Sequence, residues 1–365
     1  MKQFVLLLLF FFTFPIVSQS AEIPAESTGP QEEPPVTKYP SYQVFGFIEQ
    51  DVTYVHNSDD PAAFQIRRAR IGVRGDVTDR ISVNVIGGVV EPPDRTPRVV
   101  GAAVDFDIHP LLQLRTGQFQ VPFGIEGAES VIMNHAIERS SAIRRMNPFH
   151  MFSDIGIQAS GSYNRVTYAV ALINGTGANQ PALSDPTTVA GRIGFGVTDG
   201  LDIGGSFHFG PYRVGENHIP AILVTRLGPE AVTISGEMSG DYDRYQLGGD
   251  VEWQIDGLFI RAEYRYRNDE IPNQDGTIGD WGQHGGYLLA SYRFTQQWQG
   301  VVRYEMHQPD TEIHFDDNGL TIHTAGVNYY FDRQTRLSLN YELINDRRTG
   351  YHPGNLLTIQ MQLML

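Results

Sequence analysis

The chain has 365 residues, 42 acidic and 27 basic side chains, and a formal net charge of -15. So acidic a chain is a poor partner for nucleic acid, and no nucleic-acid binding is expected. The absence of cysteine excludes disulfides, thiolate zinc sites and cysteine nucleophiles. The slightly negative mean hydropathy excludes a polytopic helical membrane protein. Lys2 and Lys38 are the only lysines, so the other 25 basic residues are arginines.

Residues 1–20 indicate a cleaved signal peptide. Lys2 supplies a positive start, residues 4–17 are almost all apolar, and small residues precede Ala21. The alternative is a membrane anchor, although the apolar run is short for a bilayer span. Residues 21–41 are rich in proline and glutamate, which predicts an extended or disordered periplasmic leader.

Residues 42–365 show one repeated pattern, in which segments of about ten residues alternate apolar and polar side chains. In Leu258–Arg267, the apolar residues share one face while Arg261, Glu263 and Arg265 share the other. Successive side chains of a strand point to opposite faces, so such a segment is a strand with one apolar and one charged face. The pattern predicts a single all-β domain.

Eighteen such segments can be counted, and the connections between them alternate between short and long. Together with export, this rhythm predicts a transmembrane antiparallel β-barrel with short periplasmic turns and long outer loops. Tyrosine and tryptophan near the strand ends fit the aromatic girdles of such barrels. A soluble sandwich is the alternative, but it requires neither export nor this rhythm. The last strand, Leu357–Leu365, is expected to close the barrel against the first.

A barrel of sixteen to eighteen strands encloses an aqueous channel. The charged inner face agrees, because charges are costly in a dry core. The connection 121–153 is too apolar for an exposed loop, with Ile132, Ile137 and Ile143, and it also carries Arg139 and Arg144. We predict that it folds into the lumen and narrows the channel; the alternative is a mobile external loop.

Several motifs occur in order along the first half of the chain. They are Arg67-Arg68-Ala69-Arg70, the run Leu114–Gly124 (LRTGQFQVPFG), Arg139-Ser140, Asp154-Ile155-Gly156 and Asn174–Asn179. Together they resemble the family of phosphate-selective porins O and P, over roughly residues 42–195. The resemblance implies a sixteen-stranded, trimeric outer-membrane anion channel with an inward-folded third loop. Sixteen strands are two fewer than the eighteen counted, so one counted hairpin, around Ile222–Met238, would not belong to the barrel.

Arginines are the candidate site residues. The strand pattern places on the lumen face Arg68, Arg70, Arg74, Arg115, Arg192, Arg261, Arg265, Arg293 and Arg303, and the loop adds Arg139, Arg144 and Arg145. A guanidinium holds an oxyanion with two parallel donors, and a row of weak sites lets an anion enter and leave. The alternative is pairing with lumen acids such as Asp105, Asp250 and Glu263. The family's phosphate specialists use lysines, whereas this mature chain has only Lys38.

The predicted function is passive diffusion of small hydrophilic solutes, including inorganic anions, through a homotrimeric porin in the outer membrane of a Gram-negative-type cell. Anion or phosphate preference is open, and the alternatives are a non-selective or cation-preferring porin and a structural or adhesive barrel. No enzyme is expected, because HExxH, GxSxG and phosphate-loop motifs are absent from the sequence. No cofactor or metal is expected either. Outer-membrane lipid and lipopolysaccharide are the expected surroundings, the latter bridged to acidic outer loops by divalent cations.

Overall fold

The computed structural model describes residues 39–365 except 57–61, 90–95, 181–187, 215–239, 273–276 and 349–353. The predicted signal peptide and nearly all of the leader lie outside the described residues. The described strands are β1 Ser41–Val55, β2 Ala63–Asp76, β3 Ile81–Val89, β4 Pro97–His109, β5 Leu112–Gln120, β6 Ser153–Tyr163, β7 Val166–Ile173, β8 Thr188–Thr198, β9 Leu201–Val214, β10 Gly240–Ile255, β11 Leu258–Pro272, β12 Ile278–Arg293, β13 Trp298–Gln308, β14 Leu320–Tyr330, β15 Thr335–Asp346 and β16 Leu356–Met364. In this part of the chain, no helix has the length and apolar character needed to cross a bilayer.

These sixteen strands form one closed antiparallel barrel, in which each strand pairs with its neighbour in sequence. The prediction of an all-β antiparallel barrel is confirmed. β16 closes it by pairing with β1 from Phe47↔Met364 to Val55↔Leu356. On β16, Ile359 and Leu363 are exposed on the outside while Gln360 and Gln362 are buried inside. The alternation of the last strand therefore gives the barrel both its closure and its two different faces.

The two faces of the barrel wall differ as the sequence pattern predicts. On β11, Tyr264 is 49% exposed on the outer surface and the neighbouring Arg265 is 0% exposed in the interior. Aromatic rings cluster on the outside near the short turns. The ring centroids of Trp298 and Tyr329 are 4.7 Å apart, and those of Tyr329 and Phe331 are 4.8 Å apart. This outer surface of apolar residues with aromatic rings near one rim is the surface that a bilayer requires.

The count of eighteen strands is wrong by one hairpin. Its two additional segments, near residues 224 and 235, lie outside the described residues. β9 and β10 pair directly with each other, for example Phe209↔Tyr245, so no strand separates them in the wall. Each of the other sixteen segments falls on an observed strand. The seven short connections that the structure describes are 77–80, 110–111, 164–165, 199–200, 256–257, 294–297 and 331–334.

The connection between β5 and β6 folds into the barrel, as predicted; we call residues 121–152 the lumen loop. It contains the helices α1 Ile125–Ala128 and α2 Ser141–Arg145 and two single 3₁₀ turns. A third short helix, α3 Phe315–Asn318, lies between β13 and β14. β5 and β6 have only 9 and 11 residues, against 16 in β12. The barrel wall is therefore formed by short strands at the point where the lumen loop begins and ends.

Candidate functional site

The root of the lumen loop packs on small side chains of the wall. Phe123 and Phe149 form a buried cluster with Ala171, Ile173 and Ala190 on β7 and β8. Directly after Phe123, Gly124 turns the chain into the barrel with a φ of +70°, in a region of backbone conformation that favours glycine. A Cβ at Gly124 would overlap the side chains of Glu263 and Arg265. The Pro-Phe-Gly turn therefore places the loop directly against β11.

Carboxylates of the wall hold the backbone of the loop. Glu263 on β11 accepts the N–H of Glu126 at 3.0 Å through Oε2, while its Oε1 accepts from Arg265 Nε at 2.6 Å. Within the loop, the carboxylate of Glu126 accepts the N–H of Ser140 at 3.0 and 3.1 Å. α1 is therefore fixed to β11, and the start of α2 is fixed to α1.

A second wall carboxylate caps α2. Glu305 on β13 accepts from Ser140 Oγ at 2.9 Å and from the N–H of Ser141 at 2.5 Å, and it pairs with Arg303 at 2.7 Å. The first N–H groups of a helix have no partner within the helix, so a carboxylate there satisfies them and the helix dipole together. Behind α2, Ile143 is buried against Leu289 of β12.

The far end of the loop reaches the strands next to the barrel seam. The carbonyl of Asn134 accepts from Arg336 on β15 at 2.7 Å, and that of His135 accepts from Asn328 on β14 at 2.8 Å. His135 Nδ1 lies 2.7 Å from Ser291 Oγ on β12. With Ser206 on β9 bonding the N–H of Gly124 and Gln246 on β10 bonding the carbonyl of Met146, the hydrogen bonds of the loop extend from β9 to β15.

The loop also contacts β2, through a β-bulge. In the β1–β2 register Glu49 faces Arg68 and Gln50 faces Ile66, so Arg67 is the additional residue. The bulge turns both arginines inward. Arg67 Nε donates to Glu138 Oε1 at 2.8 Å, and Arg68 donates to Glu138 Oε2 and to Glu49 Oε2, each at 2.6 Å. We call Glu49, Arg67, Arg68 and Glu138 the Glu138 cluster.

The titratable groups of the loop differ in their protonation. Burial alone would raise the pKa of Glu138, but Arg68 and Arg67 outweigh it and lower the pKa to about 2. Burial raises the pKa of Glu126 to about 7, against the attraction of Arg303. Burial lowers the pKa of His135 to about 3, helped by Arg261. Near neutral pH, Glu138 is therefore ionised, His135 is neutral and Glu126 is close to its midpoint.

Opposite the loop, the wall is more accessible. None of the nine residues of β3 is buried, whereas half of the sixteen residues of β12 are. Arg115 on β5 donates to Asp105 Oδ1 at 2.6 Å, and its side chain is 28% exposed. Arg74 on β2 is exposed on the same side. Water therefore reaches the inner faces of β2–β5.

The structure separates the predicted arginines into two groups. Those under the loop or within its fold are Arg68, Arg139, Arg261, Arg265 and Arg303, all buried. Arg139 donates to the carbonyls of Glu126 and Glu129, and Arg261 contacts the carboxylates of Glu129 and Glu252. These arginines hold the loop in place instead of facing open water.

The second group remains accessible or lies against aromatic rings. Arg74, Arg144 and Arg145 are exposed, and Arg145 Nε donates to Ser141 Oγ at 3.2 Å. Arg70 lies 5.4 Å from the ring of Phe47. The remaining lumen arginines are Arg115, Arg192 (paired with Asp250) and Arg293 (4.5 Å from the ring of Tyr330).

Two contributors were missed in the sequence. Arg67 is absent from the predicted lumen arginines, because strict alternation puts it on the opposite face from Arg68; two adjacent arginines in a strand are the signal of a bulge that the sequence offers. The role of Ser140 as the cap of α2 follows the Ser-Ala-Ile pattern of a helix start, but its contact with Glu305 joins residues 165 apart in sequence. Asp269 and Asp310, two of the acids on which the prediction of acidic outer loops depends, are buried.

A closed sixteen-stranded barrel with a lipid-type outer surface, a charged interior and an inserted loop defines an outer-membrane porin, which is a channel. The sequence profile of the family described as phosphate-selective porin O and P matches residues 45–365. The chain therefore belongs to that family, and the family resemblance, barrel class and outer-membrane location predicted from the sequence are confirmed. No curated protein sequence matches the chain.

Solved porin structures have the same fold at low sequence identity. The outer-membrane channel DcaP of Acinetobacter baumannii is 9% identical, with a TM-score of 0.66, covering 89% of this chain and 97% of its own. OmpT of Vibrio cholerae in a trimer form is 10% identical, with a TM-score of 0.61 and coverages of 89% and 99%. An anion-selective porin from Comamonas acidovorans is 12% identical, with a TM-score of 0.60 and coverages of 89% and 100%.

Proposed function

We propose that this channel conducts small hydrophilic solutes by passive diffusion, with a preference for anions, through the space between the lumen loop and β2–β5. One observation carries the preference. Arg74 and Arg144 are exposed, and among the described residues neither forms an ion pair within 4 Å, although Arg144 is near enough to Glu138 to help lower its pKa. By contrast, the central wall carboxylates Asp105, Glu263 and Glu305 each contact an arginine.

An arginine suits this role because it stays charged and offers donors that match an oxyanion. Conduction requires attraction strong enough for entry and weak enough for release. Arg74 on the wall and Arg144 on the loop meet this requirement, since water still hydrates both side chains. Arg115 adds a partly neutralised third charge, since Asp105 shares it.

The test is the reversal potential of the purified protein in a planar bilayer across a salt gradient. Wild-type channels are expected to prefer anions, and Arg74→Gln and Arg144→Gln to reduce the anion-to-cation permeability ratio by about twofold each. Arg80→Gln is the matched control, because it removes the same charge from an exposed short turn. A cation-preferring wild type would overturn the proposal.

Phosphate enters this proposal as one small anion among several. The resemblance to the family's phosphate specialists does not extend to their lysines, since Lys38 is the one lysine after residue 20 and lies outside the described residues. Block of chloride current by millimolar phosphate measures this directly. Half-block at micromolar phosphate would contradict a general anion preference and favour a dedicated phosphate site.

We propose further that the porin is a homotrimer. The likeness to the trimer form of Vibrio cholerae OmpT supports this. Light scattering of the detergent-solubilised protein is expected to give three chains per particle, and a monodisperse monomer would contradict it.

We also propose that the outer loop between β13 and β14 binds divalent cations that bridge lipopolysaccharide. Asp316 and Asp317 are exposed there, and Asp316 Oδ1 also lies 3.8 Å from Arg347 Nε. Calcium is then expected to slow proteolysis between β13 and β14, and an unchanged rate would remove that contact.

A further inference from the structure

The Glu138 cluster lies where the loop ends against β2, at the edge of the accessible wall. The side chains of Arg68 and Glu49 are each 1% exposed, whereas those of Arg67 and Glu138 are 18% and 16% exposed. Solvent in the lumen therefore meets one arginine and one glutamate of this cluster. Because the bulge places two cations side by side, the charge that a solute encounters there depends on the glutamate.

Glu138 is fixed from two sides of the barrel. Its carboxylate bonds Arg67 and Arg68 on β2, and its backbone carbonyl accepts from Arg303 on β13 at 2.6 Å. Burial opposes its ionisation, but the two arginines lower its pKa to about 2. Its negative charge is therefore permanent at any pH at which the cell lives, and it cannot move away from Arg67 without loss of two ion pairs.

We propose that Glu138 is a selectivity-determining residue of the channel: it holds the loop against β2 and, together with Glu49, neutralises the arginine pair at the edge of the solute path. Asp51 on β1 is a further buried acid near Arg67, Arg68 and Glu138. Asp51 does not change the expected direction of the selectivity shift. Loss of the Glu138 charge makes the cluster more positive by one unit whether Asp51 is ionised or protonated. This inference deepens the proposed anion preference and rests on the same solute path.

The experiment compares reversal potentials of Glu138→Gln, Arg67→Gln and the double variant in 0.1 M salt. Glu138→Gln is expected to raise the anion-to-cation permeability ratio about threefold, and Arg67→Gln to lower it about threefold. The double variant is expected to return close to wild type, because one charge of each sign is lost. In 1 M salt the shifts are expected to shrink, because a shorter Debye length screens them.

Two controls separate charge from structure. Asp199→Asn removes one negative charge from the exposed turn between β8 and β9 and is expected to leave the ratio unchanged. Glu138→Asp keeps the charge with a shorter side chain, so it is expected to retain wild-type selectivity while the open channel becomes noisier. Where Glu138→Gln fails to insert, Arg67→Gln and Glu138→Asp still decide the matter.

A wild-type reversal potential in Glu138→Gln together with increased current noise would overturn the inference and leave Glu138 as a mechanical tether. An unchanged potential in Arg67→Gln would do the same. The sign of the wild-type potential tests the proposed anion preference, whereas the differences between variants test Glu138. A cation-preferring channel whose Glu138→Gln variant shifts toward anions would therefore reject the first and support the second.

Discussion

Two parts of the inner wall contain the same kind of ion pair but have different roles. We call the inner faces of β11–β15 the covered wall, and the inner faces of β3–β5 with Arg70 and Arg74 of β2 the open wall. Both contain arginine–carboxylate pairs. In the covered wall, the side chains of Arg265 and Arg303 are 0% and 2% exposed, and their partners also bond the lumen loop. In the open wall, Arg115 is 28% exposed.

The difference shows that pairing alone does not give an arginine its role. A desolvated pair is costly to separate, because removal of one partner leaves a buried charge, which costs about 3–5 kcal/mol. A hydrated pair contributes only about 0–1 kcal/mol, and its charges still act on passing ions. The covered wall is therefore expected to control the position of the loop, and the open wall to control selectivity.

The largest expected effect comes from Glu305→Ala in the covered wall. It leaves Arg303 without this carboxylate and removes the acceptor of Ser140 and Ser141. We expect a loss of about 3–5 kcal/mol in the free energy of unfolding, measured by urea titration in detergent or lipid. Asp105→Ala in the open wall is the matched control, with a smaller expected loss, because the Arg115 left without its partner is 28% exposed to water. Equal losses in both variants would abolish the distinction between the two walls.

The next effect is a dependence of loop anchoring on pH through Glu126. Its pKa in the anchored loop is about 7, against an ordinary value of 4.5. The anchored loop thus retains a proton that a released loop gives up between these pH values. The contribution of Glu126 to anchoring is fully present at pH 4.5 and is lost as pH rises to 7, by up to about 3 kcal/mol. The buried His135 opposes it, because a released loop gains a proton there below pH 6.5 that the anchored loop does not take up.

Protease cleavage within the loop measures this dependence. Relative to Glu126→Gln, the wild-type loop is expected to become easier to cleave as pH rises from 5 to 8, once the intrinsic pH response of the protease is subtracted with an unstructured substrate. The amide of Glu126→Gln does not ionise, so the response of His135 is common to both proteins and cancels in the comparison. Glu138 adds nothing in this range, since its pKa is about 2. A wild-type loop that becomes harder to cleave than that of Glu126→Gln as pH rises would contradict the sign.

The smallest effects separate two arginines that look alike in the sequence. Arg115→Ala is expected to shift the permeability ratio toward cations by about twofold, because it removes a charge that is partly exposed to the lumen. Arg139→Ala removes donors to the carbonyls of Glu126 and Glu129 and a contact 4.5 Å from the ring of Phe152. It is expected to increase current noise without a shift in reversal potential. A selectivity shift in Arg139→Ala would show that Arg139 acts on passing ions and does not only hold the loop.

Much of the barrel was predictable because its cause is local. Strand alternation has a period of two residues, so Leu258–Arg267 and Leu357–Leu365 indicate their faces without any partner. The strand count failed because residues near 224 and 235 alternate equally well, while barrel membership depends on the direct pairing of β9 with β10. Periodicity detects the propensity for a strand but does not detect which strands pair.

The loop was predictable in outline only. Its mixture of apolar and charged residues indicated insertion, since neither bilayer nor open water suits both. The partners did not follow, because Ser140 and Glu305, or Arg67 and Glu138, lie far apart in sequence and meet only when the barrel closes around the loop. The bulge at Arg67 reverses the alternation that the prediction used, and the two adjacent arginines are its one trace in the sequence.

By itself the sequence determined the architecture of this protein and its class: an arginine-lined outer-membrane barrel with one inserted loop, because side-chain alternation, apolar content and connection length are written along the chain. The tertiary structure decided which arginines lie against the loop and which stay in water. That choice depends on desolvation, and desolvation depends on what the fold brings to each side chain. Arg265 and Arg115 have the same chemistry in the sequence, and only the covering loop makes them different.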